Sequence, residues 1–146
     1  MKREITVIVF QAKAFETIEE MKQVDNIPIQ VKTINDDLVT YREIIDCDYI
    51  EITGRKIGKG SYFIVCDESG QYKDDVIFTV VSRDGSYLDV PGTIIITGPA
   101  DARGDLTSLT NEDITNIMSK ICVTTQTVGD KQKYVPVIAH NGSPMF

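Results

Sequence analysis

Ile5-Thr6-Val7-Ile8-Val9-Phe10 is a nearly unbroken run of β-branched and aromatic residues close to the start of the sequence. Such residues fit the pleated and crowded surface of a sheet, so the run predicts a largely buried strand. A second run, Thr93-Ile94-Ile95-Ile96-Thr97, has the same character and predicts another buried strand. Both runs are therefore expected to lie inside a β-sheet.

Further strands and two or three helices are expected around these runs. The strands cover residues 27–34, 49–52, 61–66 and 76–81, and residues 123–128 and 134–139 form a closing hairpin around Gly129-Asp130. The helices cover residues 14–24, residues 36–45 after an N-cap at Asn35, and the segment after Thr110, where Asp113 completes a capping box. Strands and helices do not alternate regularly. This order predicts an α+β fold with an antiparallel or mixed β-sheet and two or three helices packed on one face.

Length and composition indicate an ordinary globular protein. The 146 residues are 42% hydrophobic and 25% charged, and we expect residues 1–146 to form a single domain with a frayed tail at residues 141–146. No apolar stretch approaches the ~18 residues of a membrane span, and the N-terminal run is too short for a secretory signal. Cys47, Cys66 and Cys122 are odd in number and widely spaced, which argues against a disulfide framework and a Cys-x-x-Cys metal pair. These features predict a cytoplasmic protein that does not contact a membrane.

The formal charge of −7 arises from 15 Lys and Arg residues against 22 Asp and Glu residues. Proteins that bind nucleic acids directly neutralise phosphates with clustered Lys and Arg, and here no basic run exceeds two residues. The carboxylates are also scattered and do not form the regular bands of a duplex mimic. Direct nucleic-acid binding is therefore not expected.

Four stretches carry a resemblance to a known family: residues 38–52, 64–70, 91–98 and 106–114. Over about residues 28–121 the chain resembles the domain of unknown function 3846 family, which is common in bacteriophages and mobile elements. The resemblance implies an origin in a phage or mobile element, and the cytoplasm of a bacterial host as the place of action. It implies no activity and no functional residues, because the family has no known activity.

The segment Gly54-Arg55-Lys56-Ile57-Gly58-Lys59-Gly60-Ser61 is the first candidate for binding an anion. It lacks the spacing of a phosphate-binding P-loop, and it precedes a strand instead of a helix. Three glycines and three cations in eight residues can still form a concave anion site, with Arg55, Lys56 and Lys59 as donors. The alternative is a plain hairpin turn.

The loop at residues 98–105 is the second candidate. It contains Arg103 and Asp105, and it leads to the helix that begins after Thr110. Helix N-termini attract anions, so this loop and the turn at Arg55 and Lys59 are candidates to hold one ligand between them.

Catalytic and metal sites are not expected from the sequence. The single histidine, His140, is expected to be solvated near the frayed tail, whereas catalytic triads and most zinc sites need a rigidly held histidine. The adjacent carboxylates Asp67 and Glu68 are expected to be ordinary turn residues. A magnesium site stays open as an alternative, because it needs only one or two carboxylates beside a substrate phosphate. The sequence predicts no cofactor and no metal.

We consider three functions. The first is a non-enzymatic accessory protein that binds or sequesters a small anionic, nucleotide-like molecule or a host factor, and so counteracts host defence. The second is an acidic inhibitor of a host protein. The third is a small nucleotide-processing hydrolase that uses Asp67, Glu68 or Cys66. Uncovered strand edges also make a homo-oligomer an expectation.

Overall fold

The computed structural model describes residues 3–26 and 28–141. The strands in this part are β1 (Glu4–Phe10), β2 (Ile29–Asn35), β3 (Ile50–Ile57), β4 (Gly60–Asp67), β5 (Phe78–Val81), β6 (Leu88–Pro91), β7 (Ile94–Thr97), β8 (Ile121–Val128) and β9 (Lys131–Ile138). The α-helices are α1 (Ile18–Met21), α2 (Leu38–Ile45) and α3 (Asn111–Met118). Ile27 of the predicted second strand and residues 142–146 of the predicted frayed tail lie outside the described residues.

β7 is the central strand of a five-stranded sheet with the order β2-β1-β7-β4-β3. Every neighbouring pair in this sheet is antiparallel. The two β-branched runs of the sequence form the paired strands β1 and β7, with Val9 opposite Ile95. All four residues of β7 are buried. The prediction of two buried strands is therefore confirmed.

A second sheet contains four strands in the order β6-β5-β9-β8. β8 and β9 form the predicted closing hairpin around Gly129 and Asp130. A parallel bridge joins Val80 of β5 to Ile138 of β9, so this sheet is mixed. The antiparallel or mixed strand arrangement is confirmed, but the strands divide into two sheets. The sequence does not predict β6, because Asp and Pro, which β6 contains at Asp89 and Pro91, are depleted in strands.

The apolar residues of β7 alternate between two cores on opposite faces of the five-stranded sheet. Ile96 belongs to a cluster that includes Ile138 of the second sheet and Ile117 of α3. Ile95 belongs to the other cluster, together with Tyr41 of α2. Because successive strand residues point to opposite faces, α2 and α3 cover different faces of this sheet. The expectation that the helices share one face is wrong, since β1 and β7 are apolar on both faces and both must be covered.

The start of α2 lies further along the chain than the sequence predicts. Asn35 is the last residue of β2 and pairs with Glu4. Asp37 is the N-cap instead, since its Oδ1 accepts a hydrogen bond from the Thr40 amide at 2.8 Å. The prediction of Asn35 as the cap is therefore wrong, because the strand continues beyond its last apolar residue.

The start of α3 is confirmed. The Thr110 hydroxyl accepts a hydrogen bond from the Asp113 amide at 3.1 Å, and the Asp113 carboxylate accepts one from the Thr110 amide at 2.8 Å. The predicted apolar stripe is shorter than expected, because Met118 is 41% exposed and Ile121 already belongs to β8. α1, within the predicted helix at residues 14–24, is a single turn. None of the described helices is long and apolar enough to cross a membrane.

Residues 54–61 form a β-hairpin with a turn of only two residues. Arg55 and Lys56 belong to β3, and Gly58 and Lys59 form the turn. Gly58 has a φ of +56°, as the first position of a two-residue type II′ turn requires. The cations of this segment therefore do not share one loop, because β3 presents alternate residues to opposite faces.

Candidate functional site

A cleft of about 510 Å³ lies where the β3–β4 hairpin approaches the ends of β5 and β9. Residues of both sheets and of the loop after β7 supply its apolar wall: Ile57, Phe63, Val80, Pro99 and Ile138. Besides the phenol of Tyr62, its ionisable groups are three cations and a histidine: Arg55, Lys56, Arg83 and His140. None of the described residues that line the cleft is an aspartate or a glutamate. The cleft therefore concentrates positive charge in a chain whose formal charge is −7.

Arg55 connects the two sheets beside this cleft. Its guanidinium donates two parallel hydrogen bonds to Asp89 of β6, from Nη1 to Oδ1 at 3.0 Å and from Nη2 to Oδ2 at 3.1 Å. Nη1 also donates to the Val81 carbonyl at 3.1 Å. The Arg55 side chain is only 7% exposed, and its Nε has no hydrogen-bond partner in the described part of the chain. Arg55 thus serves chiefly in a structural ion pair with Asp89, and its buried Nε–H group makes no hydrogen bond with the described residues.

Lys56 points to the opposite face of the hairpin from Arg55, because successive strand residues alternate. Its side chain is exposed, and across the hairpin Lys56 pairs with Ser61 while Gly54 pairs with Phe63. All four of these residues line the cleft. The cleft therefore reaches around the edge of the hairpin, with Lys56 and Phe63 on the same face.

Arg83 completes the cationic set, although the sequence does not mark it as a site residue. It lies in the turn between β5 and β6, and its Nη2 donates to the Gly54 carbonyl at 2.9 Å. The same turn is braced by Asp84, whose carboxylate accepts hydrogen bonds from the Ser86 hydroxyl and amide and from the Ser82 hydroxyl. These bonds lower the pKa of Asp84 to about 2. In the sequence, Arg83 could be noticed as part of a polar turn that directly follows an apolar strand. Its proximity to β3 could not be inferred from the sequence.

His140 is not the solvated residue that the sequence predicts. It is half-buried and lines the cleft, and its carbonyl accepts a hydrogen bond from the Gly58 amide at 3.1 Å. Its Nδ1 is buried and has no hydrogen-bond partner among residues 3–26 and 28–141. The prediction is wrong because the β3–β4 turn holds the chain just beyond β9. Buried polar atoms normally have partners, so an unpaired Nδ1 at this position is unusual.

The other predicted ligand residues lie elsewhere. Lys59 lines a separate pocket against α3, where its amide donates to Asn116 Oδ1 at 3.1 Å. The Asp105 carboxylate lies 3.3 Å from the Arg3 guanidinium, and Arg103 is exposed in the same loop. Neither Arg103 nor Asp105 lines the cleft, to which the loop contributes Pro99. Of the five residues predicted for an anion site, the structure thus brings only Arg55 and Lys56 to one cleft.

The three residues considered for hydrolysis, Cys66, Asp67 and Glu68, lie in different environments. Burial raises the pKa of the Cys66 thiol to about 12. Asp67 is buried and lies 2.6 Å from the Lys73 ammonium, whereas Glu68 is exposed. The expectation of two ordinary turn carboxylates is therefore wrong for Asp67, which is the last residue of β4. Among the described residues, no group of three or more His, Cys, Asp and Glu side chains is arranged to hold a metal ion.

Comparison with known proteins places the chain in a family without assigning it an activity. Neither a curated protein nor a solved structure matches it. A family model described as Domain of unknown function (DUF3846) matches residues 20–121, which is more than half of the 146-residue chain. The resemblance inferred from the sequence over about residues 28–121 is confirmed. The chain therefore belongs to the DUF3846 family.

Proposed function

We propose that this protein binds a small anionic, nucleotide-like molecule in the cleft between the β3–β4 hairpin and the second sheet, and does not turn it over. The observation that carries the proposal is the composition of the cleft lining: Lys56 and Arg83 are cations that the described carboxylates do not pair with there, Arg55 is already paired with Asp89, and no described lining residue is a carboxylate. Phosphate groups are well matched by Arg and Lys donors beside a partly apolar wall. In a phage or mobile element, sequestering such a molecule would remove a signal or cofactor from the host and counteract host defence.

Binding is favoured over hydrolysis by the state of the candidate catalytic groups. The raised pKa of Cys66 keeps its thiol protonated near neutral pH, and a protonated thiol is a poor nucleophile. The Asp67 carboxylate is held by Lys73 and also accepts a hydrogen bond from the Ser69 amide at 3.0 Å. Neither Cys66 nor Asp67 lines the cationic cleft.

A second function, inhibition of a basic host protein, is favoured by a different surface. Val39 and Tyr49 are 60% and 64% exposed beside a charged hollow at the end of α2. Four carboxylates line the same hollow against the two cations Arg42 and Lys73: Glu43, Asp46, Asp48 and Asp67. A stoichiometric complex with a host protein that weakens with salt, and that is lost on Tyr49→Ser but kept on Lys56→Gln, would favour this function.

The proposed function is tested by thermal unfolding with 1 mM AMP, ADP or ATP. A ligand present at 100 times its Kd stabilises the native state by about 2.7 kcal/mol, which raises the Tm of a protein of this size by roughly 5–10 °C. At least one of the three nucleotides is expected to give such a shift. Absence of any shift at millimolar concentration contradicts the proposal.

Matched variants locate the binding. Lys56→Gln with Arg83→Gln removes two cations from the cleft lining, and Lys22→Gln with Lys131→Gln removes two exposed cations outside it. Both pairs change the net charge equally, so long-range electrostatics is controlled. Titration calorimetry should show at least ten-fold weaker nucleotide binding for the first pair, because charge-assisted hydrogen bonds contribute about 1.5–3 kcal/mol each, and little change for the second. Equal effects would contradict a site in this cleft.

A further inference from the structure

We infer that the ligand carries a flat ring of nucleobase size, and that this ring stacks on Phe63 while the anionic group of the ligand reaches Lys56. The inference rests on the proposed function and specifies the chemistry of the molecule that the cleft would take. It follows from the way the β3–β4 hairpin arranges one aromatic and one cationic side chain.

Phe63 and Lys56 lie on the same face of the hairpin as diagonal neighbours. Gly54 pairs with Phe63, and Lys56, two residues after Gly54, pairs with Ser61, two residues before Phe63. Residues two apart on a strand share a face, and diagonal cross-strand neighbours stand about 7–8 Å apart. That spacing suits a molecule with a ring at one end and a phosphate a few bonds away.

Phe63 packs against the core cluster that contains Ile95, but no side chain from across the hairpin covers its ring. Its partner there is Gly54, and a Cβ atom placed on Gly54 would stand 3.5 Å from Phe63 Cε1. The partner on the other side is Thr97 of β7, which is small and buried. Pro99 lines the cleft beside these residues. A half-buried aromatic ring flanked by glycine and proline in an open cleft is a stacking platform, since the face of a nucleobase stacks on aromatic side chains without demanding further hydrogen bonds.

Arg83, from the turn between β5 and β6, reaches β3 at the level of Phe63. Its Nη2 atom donates to the Gly54 carbonyl, which fixes the guanidinium beside the residue that faces Phe63. Lys56 and Arg83 thus line the same cleft as the Phe63 ring. This arrangement offers a phosphate two cations within reach of one stacked base.

The test compares four ligands by titration calorimetry: AMP, ribose 5-phosphate, inorganic phosphate and adenosine. AMP contains both the ring and the phosphate, whereas each of the others lacks one of them. We expect AMP to bind at least ten-fold more tightly than ribose 5-phosphate, and saturation-transfer NMR to show stronger transfer to the adenine H2 and H8 protons than to the ribose protons. If ribose 5-phosphate binds as tightly as AMP through Lys56 and Arg83, the ring inference is overturned while the anion-binding function stands. If none of the four binds, the proposed function itself fails.

A variant of the platform gives the same test from the protein side. Phe63→Leu keeps an apolar side chain but removes the ring, and is expected to weaken AMP binding about ten-fold while leaving ribose 5-phosphate binding unchanged. Phe78→Leu is the matched control, because Phe78 is a half-buried strand residue that does not line the cleft. Equal AMP affinity of the two folded variants overturns the inference. The ligand comparison on the unaltered protein decides the matter if Phe63→Leu does not fold.

Discussion

Replacing Asp89 by Asn is expected to destabilise the protein strongly, although Asp89 itself is not fully buried. The Asp89 carboxylate holds the Arg55 guanidinium through two hydrogen bonds of 3.0 and 3.1 Å. The exposed fractions of the two side chains are 7% for Arg55 and 25% for Asp89. The substitution keeps the size of the side chain but removes its charge, so the buried guanidinium loses its counter-ion.

The magnitude follows from the burial of the pair. Removing one partner of a fully buried ion pair costs about 3–5 kcal/mol, and because Asp89 is partly exposed we expect about 2–3 kcal/mol here. For a protein of this length, that loss lowers the Tm by roughly 4–12 °C. The second sheet is expected to be affected first, because Asp89 lies on β6 and the Val81 carbonyl on β5 shares the Arg55 donor.

Urea unfolding followed by circular dichroism measures this loss, with Asp105→Asn as the control. Asp105 also faces an arginine, Arg3 at 3.3 Å, but the two side chains are 49% and 40% exposed. Exposed pairs contribute about 0–1 kcal/mol, so the control should change the free energy of unfolding far less. If Asp89→Asn and Asp105→Asn cost the same, Arg55 does not connect the sheets as described. The double replacement Arg55→Met with Asp89→Leu should recover much of the lost stability, because no unpaired charge then stays buried.

Three further predictions concern the hairpin, a helix cap and a thiol. Gly58→Ala should destabilise by at least about 1 kcal/mol more than Gly104→Ala in thermal unfolding. Both glycines have positive φ, but a Cβ atom on Gly58 would clash with Asn116 Oδ1, whereas one on Gly104 would meet no atom. Thr110→Ala should cost about 1 kcal/mol by loss of the α3 cap, whereas Thr115→Ala, on the exposed side of α3, should cost nothing measurable. Folding raises the pKa of Cys66 from 9.0 to about 12. Between these two values the unfolded chain loses the thiol proton while the native protein keeps it. The stability that the protonated thiol contributes is therefore complete below pH 9 and is lost between pH 9 and 12. Iodoacetamide labelling read by mass spectrometry should therefore modify Cys66 at pH 8.5 only after unfolding, and rapid labelling of the native protein would contradict this burial.

The sequence predicts those elements whose signals are local. The β-branched runs of β1 and β7, the turn at Gly129-Asp130 and the capping box of Thr110 each contain, within a few residues, the physical reason for their structure. All of them are present as predicted. The N-cap of α2 is not predicted correctly, because Asn35 pairs with Glu4 of β1, which is distant in the sequence.

The candidate site was predictable only in part, because it is made by long-range contacts. The sequence marks Arg55 and Lys56, but it cannot show that Asp89 neutralises Arg55 from another sheet. His140 was assigned to a solvated tail, since the contact of its carbonyl with the Gly58 amide joins residues that are distant in the chain. Arg83 carries no motif of its own, and only its contact with Gly54 identifies it.

Backbone amide shifts in the ¹H–¹⁵N spectrum during titration with AMP give the most direct test of a nucleotide-binding cleft. The largest shifts are expected at Gly54, Phe63, Arg83 and His140, which come from four separate segments and meet only in this cleft. Shifts confined to the end of α2, or no shifts at millimolar AMP, would contradict it.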